Sequence, residues 1–362
     1  MEERSCLPVF LELIKAKGYQ SVAFTGMAKN VGKTTSFNYL LSQCAREKLA
    51  VGLASIGRDG EKVDGITGAA KPSIWAPEGT VVAAAKEAII NSTAGLEIIE
   101  DTGFSGAMGQ IYLARVRRGG EIEVATTPSS QKMRIIISMM KQLGASLVLV
   151  DGALDRTSSA APDVSDCTIL ATGAAVHRQL EVVVDKTAAR AEQFSISGVP
   201  SLAGLIPKEA RQKIANGSAS LAVGEEGEVA MMDKKSLGYE ENLLELLKGN
   251  RKIKAVYING AVVEGLLQFF INNRKILQET VLLVRSGVNI LVNHRIWGHY
   301  LKAHGLIYGL NPVNLIGVIC NPTSIRGDGF FPEELVDKLA TKVPGIITAD
   351  VISGIFRQAR RE

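Results

Sequence analysis

Residues 24 to 40 read FTGMAKNVGKTTSFNYL: an apolar run that stops at a glycine, then Gly-Lys-Thr, then a helix-like pattern. We read Gly26, Gly32, Lys33 and Thr34 against the phosphate-loop pattern G-x-x-x-x-G-K-[ST]. Such a loop works through geometry. A strand ends abruptly, main-chain N–H groups turn inward, and the positive end of the next helix faces a polyphosphate. Gly32 then lets the backbone approach a β-phosphate, and Lys33 reaches the β- and γ-oxygens. The Thr34 hydroxyl is placed for magnesium and Thr35 for the α-phosphate, while Lys29, Asn30 and Val31 complete the wall of the cradle. The competing reading is a glycine-rich turn with a solvent lysine.

Magnesium in such a site needs a second anchor, an aspartate at the end of a neighbouring apolar strand. SLVLVDG (146–152) offers Asp151. Alone it would be a turn residue; beside the loop it becomes a metal ligand. SIGRDGEKVD (55–64) gathers Asp59, Glu61 and Asp64, either as a hydrophilic turn or as a loop in which Asp59 contacts magnesium or the attacking water. The catalytic set is therefore Lys33, Asp59 and Asp151, with Lys33 stabilising charge that develops on the γ-phosphoryl group. The metal set is Thr34, Asp151 and Asp59.

Other chemistry-bearing residues point less far. DTGFSGAMG (101–109) lacks the G-x-G-x-x-G spacing of a dinucleotide fingerprint and reads as a turn leading into a helix or as a second ligand loop. Arg156, in the polar stretch 150–166, is either a phosphate contact or a surface residue. His294, His299 and His304 recur every five residues, a step that scatters them around a helix axis and excludes a metal triad. His177 reads as a helix-surface residue. Asn321 ends the apolar run NLIGVICN and reads equally as a turn former before proline and as a nucleotide contact.

The elements that would position these residues alternate between apolar runs and helical stretches, the pattern of an α/β fold with a mostly parallel sheet flanked by helices. Strands are expected at 21–26, 50–57, 96–101, 121–126, 146–152 and 167–173, and helices after Lys33, over 80–91, over 107–120 and over 128–145. The rhythm weakens after residue 200 and resumes at 251. The expected organisation is a nucleotide-binding domain over 1–205, a connecting region over 206–250, and a second α/β region over 251–362 that continues the same sheet or stands beside it.

The chain has 362 residues, 46% hydrophobic and 22% charged, enough to bury a large core. A net charge of +4 with only short arginine runs argues against a nucleic-acid stripe. No apolar run approaches the ~20 residues of a membrane span. The first residues lack the layout of a signal peptide, and four scattered cysteines form no CxxC pair, so a reducing cytoplasm is expected.

FTGMAKNVGKTT resembles the phosphate loop of the dethiobiotin synthetase and MinD-like branch of P-loop nucleotidases. The resemblance implies a phosphate-binding role for Lys33, metal roles for Thr34, Asp59 and Asp151, and a base-reading role for Asn321. One departure stands out: the activating lysine of MinD-like dimers would fall at Ala28, and this chain has Lys29 instead. Across the chain, GMAKNVGKTT, SIGRDGE, VDGALDRTSSAAP, YINGAVVEGLL and CNPTS resemble the accessory ATPase subunit that reactivates lysine 5,6-aminomutase. That likeness implies ATP and Mg²⁺ at the site, an aminomutase client that holds the cobalamin, and a second accessory protein; a homodimer is compatible with it. Two other functions stay open, an ATP-dependent small-molecule ligase or kinase and a nucleotide-gated binding module with little turnover.

Overall fold

The computed structural model describes residues 9–56, 74–106, 108–124, 127, 129–152, 161–217, 219–232, 239–248, 252–277 and 279–360. Asp59, Glu61, Asp64 and Arg156 lie outside the described residues. In chain order the strands are β1 Ser21–Gly26, β2 Val51–Ile56, β3 Ile74–Ala76, β4 Val81–Ala85, β5 Gly95–Gly106, β6 Gly109–Arg118, β7 Gly120–Ile122, β8 Leu147–Gly152 and β9 Cys167–Gly173. There follow β10 Ser220–Gly224, β11 Val229–Met232, β12 Ile253–Ile258, β13 Val262–Val263, β14 Val281–Val284, β15 Ile290–Leu291 and β16 Leu306–Gly309. The last are β17 Leu315–Asn321, β18 Ile347–Asp350 and β19 Ile355–Arg357. The first five helices are α1 Val9–Ala16, α2 Lys33–Arg46, α3 Lys86–Asn91, α4 Ser130–Gln142 and α5 Leu180–Phe194.

Ten strands form one sheet in the order β19-β18-β17-β9-β1-β8-β2-β4-β6-β5. From β18 to β4 every pairing is parallel. β19 at one edge and β6 and β5 at the other run antiparallel. Strands β8 and β9 are buried along their whole length, which is why they read as unbroken apolar runs. Alternate residues serve opposite faces. Leu147 and Leu149 join the core under α1 and α2. Val148 and Val150 join Met133, Ile136 and Met140 of α4.

The fold class is thus an α/β architecture with a large, mostly parallel sheet flanked by helices. Of two expected helices, one is strand over its first half and the other is a strand. Over 80–91, Val81–Ala85 is a fully buried strand between β2 and β6, and only Lys86–Asn91 is helical. Alanine favours helices, but its small side chain also fills a sheet interior covered on both faces, and burial outweighs propensity. Within the second expected helix, Gly109–Arg118 forms β6, with Ile111, Leu113 and Val116 buried and Arg117 exposed. The described residues of 101–109 consequently belong to the β5–β6 hairpin rather than to the start of a helix: Gly103, at positive φ, sits in a break of register between Asp101 and Ser105, and Gly109, also at positive φ, pairs with Gly106. Of the described residues 121–124, only Glu121 and Ile122 are in a strand; β7 pairs with β3 outside the large sheet.

Two compact units are present, Met1–Thr187 with Asn314–Glu362, and Ala188–Val313. These limits differ from the expected boundaries at 205 and 250, because β17 to β19 return to the first unit and pair beside β9. Strands lying between Ser220 and Gly309 build a separate five-stranded sheet in the order β11-β10-β12-β14-β16, of which β12, β14 and β16 are parallel and β10 runs antiparallel to β11 and β12. Its core includes Leu266, Leu267, Trp297 and Tyr300. No helix among the described residues is long and apolar enough to cross a membrane.

Cys44, Cys167 and Cys320 are buried and free. Burial pushes the Cys44 thiol up to about 12 and raises the other two as well. Because the thiolate is the reactive form, native protein at neutral pH will alkylate at these three sites at least ~10³-fold more slowly than denatured protein. Mass-spectrometric counting of maleimide adducts checks this, and fast native labelling of Cys167 or Cys320 would contradict the packing of β9 and β17.

Candidate functional site

The candidate site forms where β1 gives way to α2. The Phe24 and Phe37 rings pack 5.2 Å apart and seat the helix on the strand. Leu40, Leu41 and Cys44 continue that buried stripe. The helix ends in two reversed hydrogen bonds, Leu49 N–H to Cys44 O and Lys48 N–H to Ala45 O, with Lys48 left-handed at φ 56°. The start of α2 is therefore fixed by packing on β1 and its end by this cap.

Five residues, 27 to 31, separate Gly26 from Gly32, one more than the four of the phosphate-loop pattern. The fit rests instead on Gly32-Lys33-Thr34 and on the strand, loop and helix around them. Gly26 is packed so closely that an added Cβ would meet Val31 Cγ2 at 3.0 Å. Val31 is buried under the loop, whereas Lys29 and Asn30 are exposed. Asn30 and Gly32 are left-handed, at φ 60° and 83°. Such alternation turns successive N–H groups to one side, the geometry of an anion nest.

Gly32 is the N-cap of α2 and supplies no side-chain cap, and the first turn holds no acidic residue. The N–H groups of Lys33, Thr34 and Thr35 stand where an α-helix has no internal acceptors to offer. An anion at this end is favoured by those donors and by the helix dipole. Ser36 turns its hydroxyl back to Gly32 O at 2.8 Å, which braces the same turn.

Lys33 brings the neighbouring strand into the site. Its Nζ donates to the Gly152 carbonyl and lies 3.0 Å from Asp151 Oδ1. The two charged side chains are only 14% and 10% exposed. In the register of β1 and β8, Phe24 faces Asp151, and in that of β2 and β8, Ser55 faces Asp151. On the other side of β1, Gly26 aligns with Ala171 of β9, and Gly173 with Asn321 of β17. The carboxyl ends of β2, β8, β1, β9 and β17 thus form one edge, the place where parallel α/β sheets carry their ligands.

Asn321 joins this edge, and the structure brings it to the loop: its Nδ2 donates to Asn30 O at 3.1 Å. Sequence reasoning missed Gly173, Thr323 and the Gly152 carbonyl. Gly173 has φ 154°, and a Cβ there would fall 1.9 Å from Asn321 O. A glycine closing the apolar run CTILATG was the available signal. Gly173→Ala will lower stability by about 3 kcal/mol, because the atom it strikes is backbone. Urea unfolding measures this, and an unchanged midpoint would contradict the packing of β9 on β17.

Beyond β9 and β17 a cleft of about 620 Å³ is lined by Val176, His177, Arg178, Gln179 and Arg326. His177 precedes α5 instead of lying on a helix surface, and its Nδ1 accepts the Gln179 N–H, which leaves Nε2 as the donor. Arg326 donates to the Ala174 carbonyl, and both arginines flank Asp328 at 3.6 to 3.9 Å.

Thr34 and Asp151 supply one hydroxyl and one carboxylate, hard oxygen donors of the kind magnesium takes from a protein when phosphate and water complete its shell. Among the described residues no three His, Cys, Asp or Glu side chains cluster as a metal group. The donors fit a nucleotide-borne ion better than an all-protein cage. No family model matches this chain, and no curated protein or solved structure matches it either.

Proposed function

We propose that this chain is a magnesium-dependent P-loop ATPase that does conformational work on a partner enzyme. One observation carries the nucleotide half: Lys33, in the first turn of a helix capped by a left-handed glycine, holds its ammonium against Asp151 and the Gly152 carbonyl. In this reading an incoming triphosphate takes the loop N–H groups, and Lys33 leaves Asp151 for the β- and γ-oxygens. That exchange frees the Asp151 carboxylate to join the Thr34 hydroxyl as a magnesium ligand. The bound ion would supply charge neutralisation on the β- and γ-oxygens. Lys33 stabilises the charge that grows on the γ-phosphoryl group. Asp59 is proposed from sequence alone as a positioner of the metal or the water.

The terminal phosphate then lies toward β8 and the base toward β9 and β17, where the cationic cleft opens. Likeness to the accessory subunit of the lysine 5,6-aminomutase reactivase supports an aminomutase client in the cytoplasm, with a second accessory protein. The experiment measures ATP hydrolysis by the chain alone, with a metabolite panel, and with an inactivated aminomutase. Faster hydrolysis with the client, together with restored mutase activity, is the expected result. Phosphate release that depends on a metabolite would replace this reading with a ligase or kinase, and affinity without turnover would replace it with a binding module.

A further inference from the structure

We infer that Asn321 is a positioning residue that holds the phosphate loop in its anion-binding shape, and does not read the nucleotide base. This inference rests on the phosphate-site reading above. The side-chain amide has its orientation set by main-chain partners. Oδ1 accepts the Thr323 N–H at 3.2 Å and the Thr323 hydroxyl at 2.9 Å, while Nδ2 donates to Asn30 O at 3.1 Å. A flipped amide would set N–H against N–H and carbonyl against carbonyl, so the assignment is forced.

Two consequences follow from this arrangement. An amide that reads adenine offers a donor and an acceptor together. Asn321 has spent both lone pairs of Oδ1 on Thr323, so no acceptor is left for an exocyclic amino group. The second concerns the loop itself. A trans peptide points its C=O and N–H in opposite directions, and the described chain has no cis bonds. Holding the Asn30 carbonyl toward β17 therefore aims the Val31 N–H away from β17, into the concave side of the loop.

The clamp is itself rigid. Asn321 O accepts the Ala174 N–H at 3.0 Å, and a Cβ on Gly32 would approach Asn321 Cβ to 3.2 Å. Strand β17 thus fixes the left-handed Asn30 and Gly32 from outside, a contact that local sequence around the loop does not provide.

Isothermal titration of ATP, GTP and inorganic tripolyphosphate into wild-type and Asn321→Ala protein tests this. The loss of one hydrogen bond should weaken all three ligands by the same factor, about tenfold. Tripolyphosphate has no base, so its equal loss marks a loop effect. Asn321→Ser, whose hydroxyl retains an acceptor for Thr323, guards against misfolding and should show the same pattern with an unchanged ligand-free melting temperature. Weaker ATP with unchanged tripolyphosphate would overturn the inference in favour of base reading, and no change for any ligand would overturn it outright. Wild-type protein that binds none of the three would instead remove the phosphate site on which it rests.

Discussion

Replacing Lys33 with methionine will lower kcat/KM for ATP by about 10²- to 10³-fold, the loss seen when one preorganised donor to transition-state charge is removed. Methionine keeps the length and packing of the lysine stem, so the change isolates the ammonium. The variant will also lose stability, because Asp151 is only 10% exposed and its partner cation has gone. Breaking a buried pair on one side costs about 3 kcal/mol. Lys33→Met with Asp151→Asn removes both charges and should recover most of that stability without recovering turnover. Urea unfolding and steady-state kinetics on the same preparations separate the two effects. A double variant as unstable as the single one would contradict the direct pairing of Lys33 with Asp151.

Asp151→Asn will have the second largest effect, and with a different signature. Turnover should fall about 10²-fold, and magnesium should no longer tighten ATP binding, because the carboxylate that would hold the ion has become an amide. Metal-free ATP should bind at least as well as it does to wild type. In the wild type Lys33 must leave a carboxylate 3.0 Å away before it reaches phosphate, and the amide holds it far less strongly. Titrations with ATP plus EDTA and with ATP plus magnesium distinguish these terms. Equal weakening in both conditions would show that Asp151 acts only by holding Lys33 in place.

Both substitutions could be named before the fold was known, and the physical reason is locality. The loop, its strand and its helix lie within one stretch of chain, where an apolar run broken by glycine and followed by a helical stripe has few alternative readings. Asp151 was legible because β8 is buried on both faces and thus unbroken in hydrophobicity up to the acid. Residues 109–118 were not, since alanine, leucine and arginine suit a helix as well as a strand. What decided the matter was pairing with β4 and β5, which lies outside the stretch itself. The bond from Asn321 to Asn30 spans 291 positions and depends on the chain returning after Val313 to pair beside β9. No local signal encodes such a contact. Asp59 follows β2 in a segment outside the described residues, so its role stays where sequence reading left it.

Equilibrium dialysis of radiolabelled ATP against the full chain in magnesium, with Lys33→Met alongside, tests the phosphate cradle most directly. The account predicts a single saturable site, displaced by ADP and by tripolyphosphate and lost in the variant. No saturable binding at millimolar ATP, or equal binding by the two proteins, would contradict it.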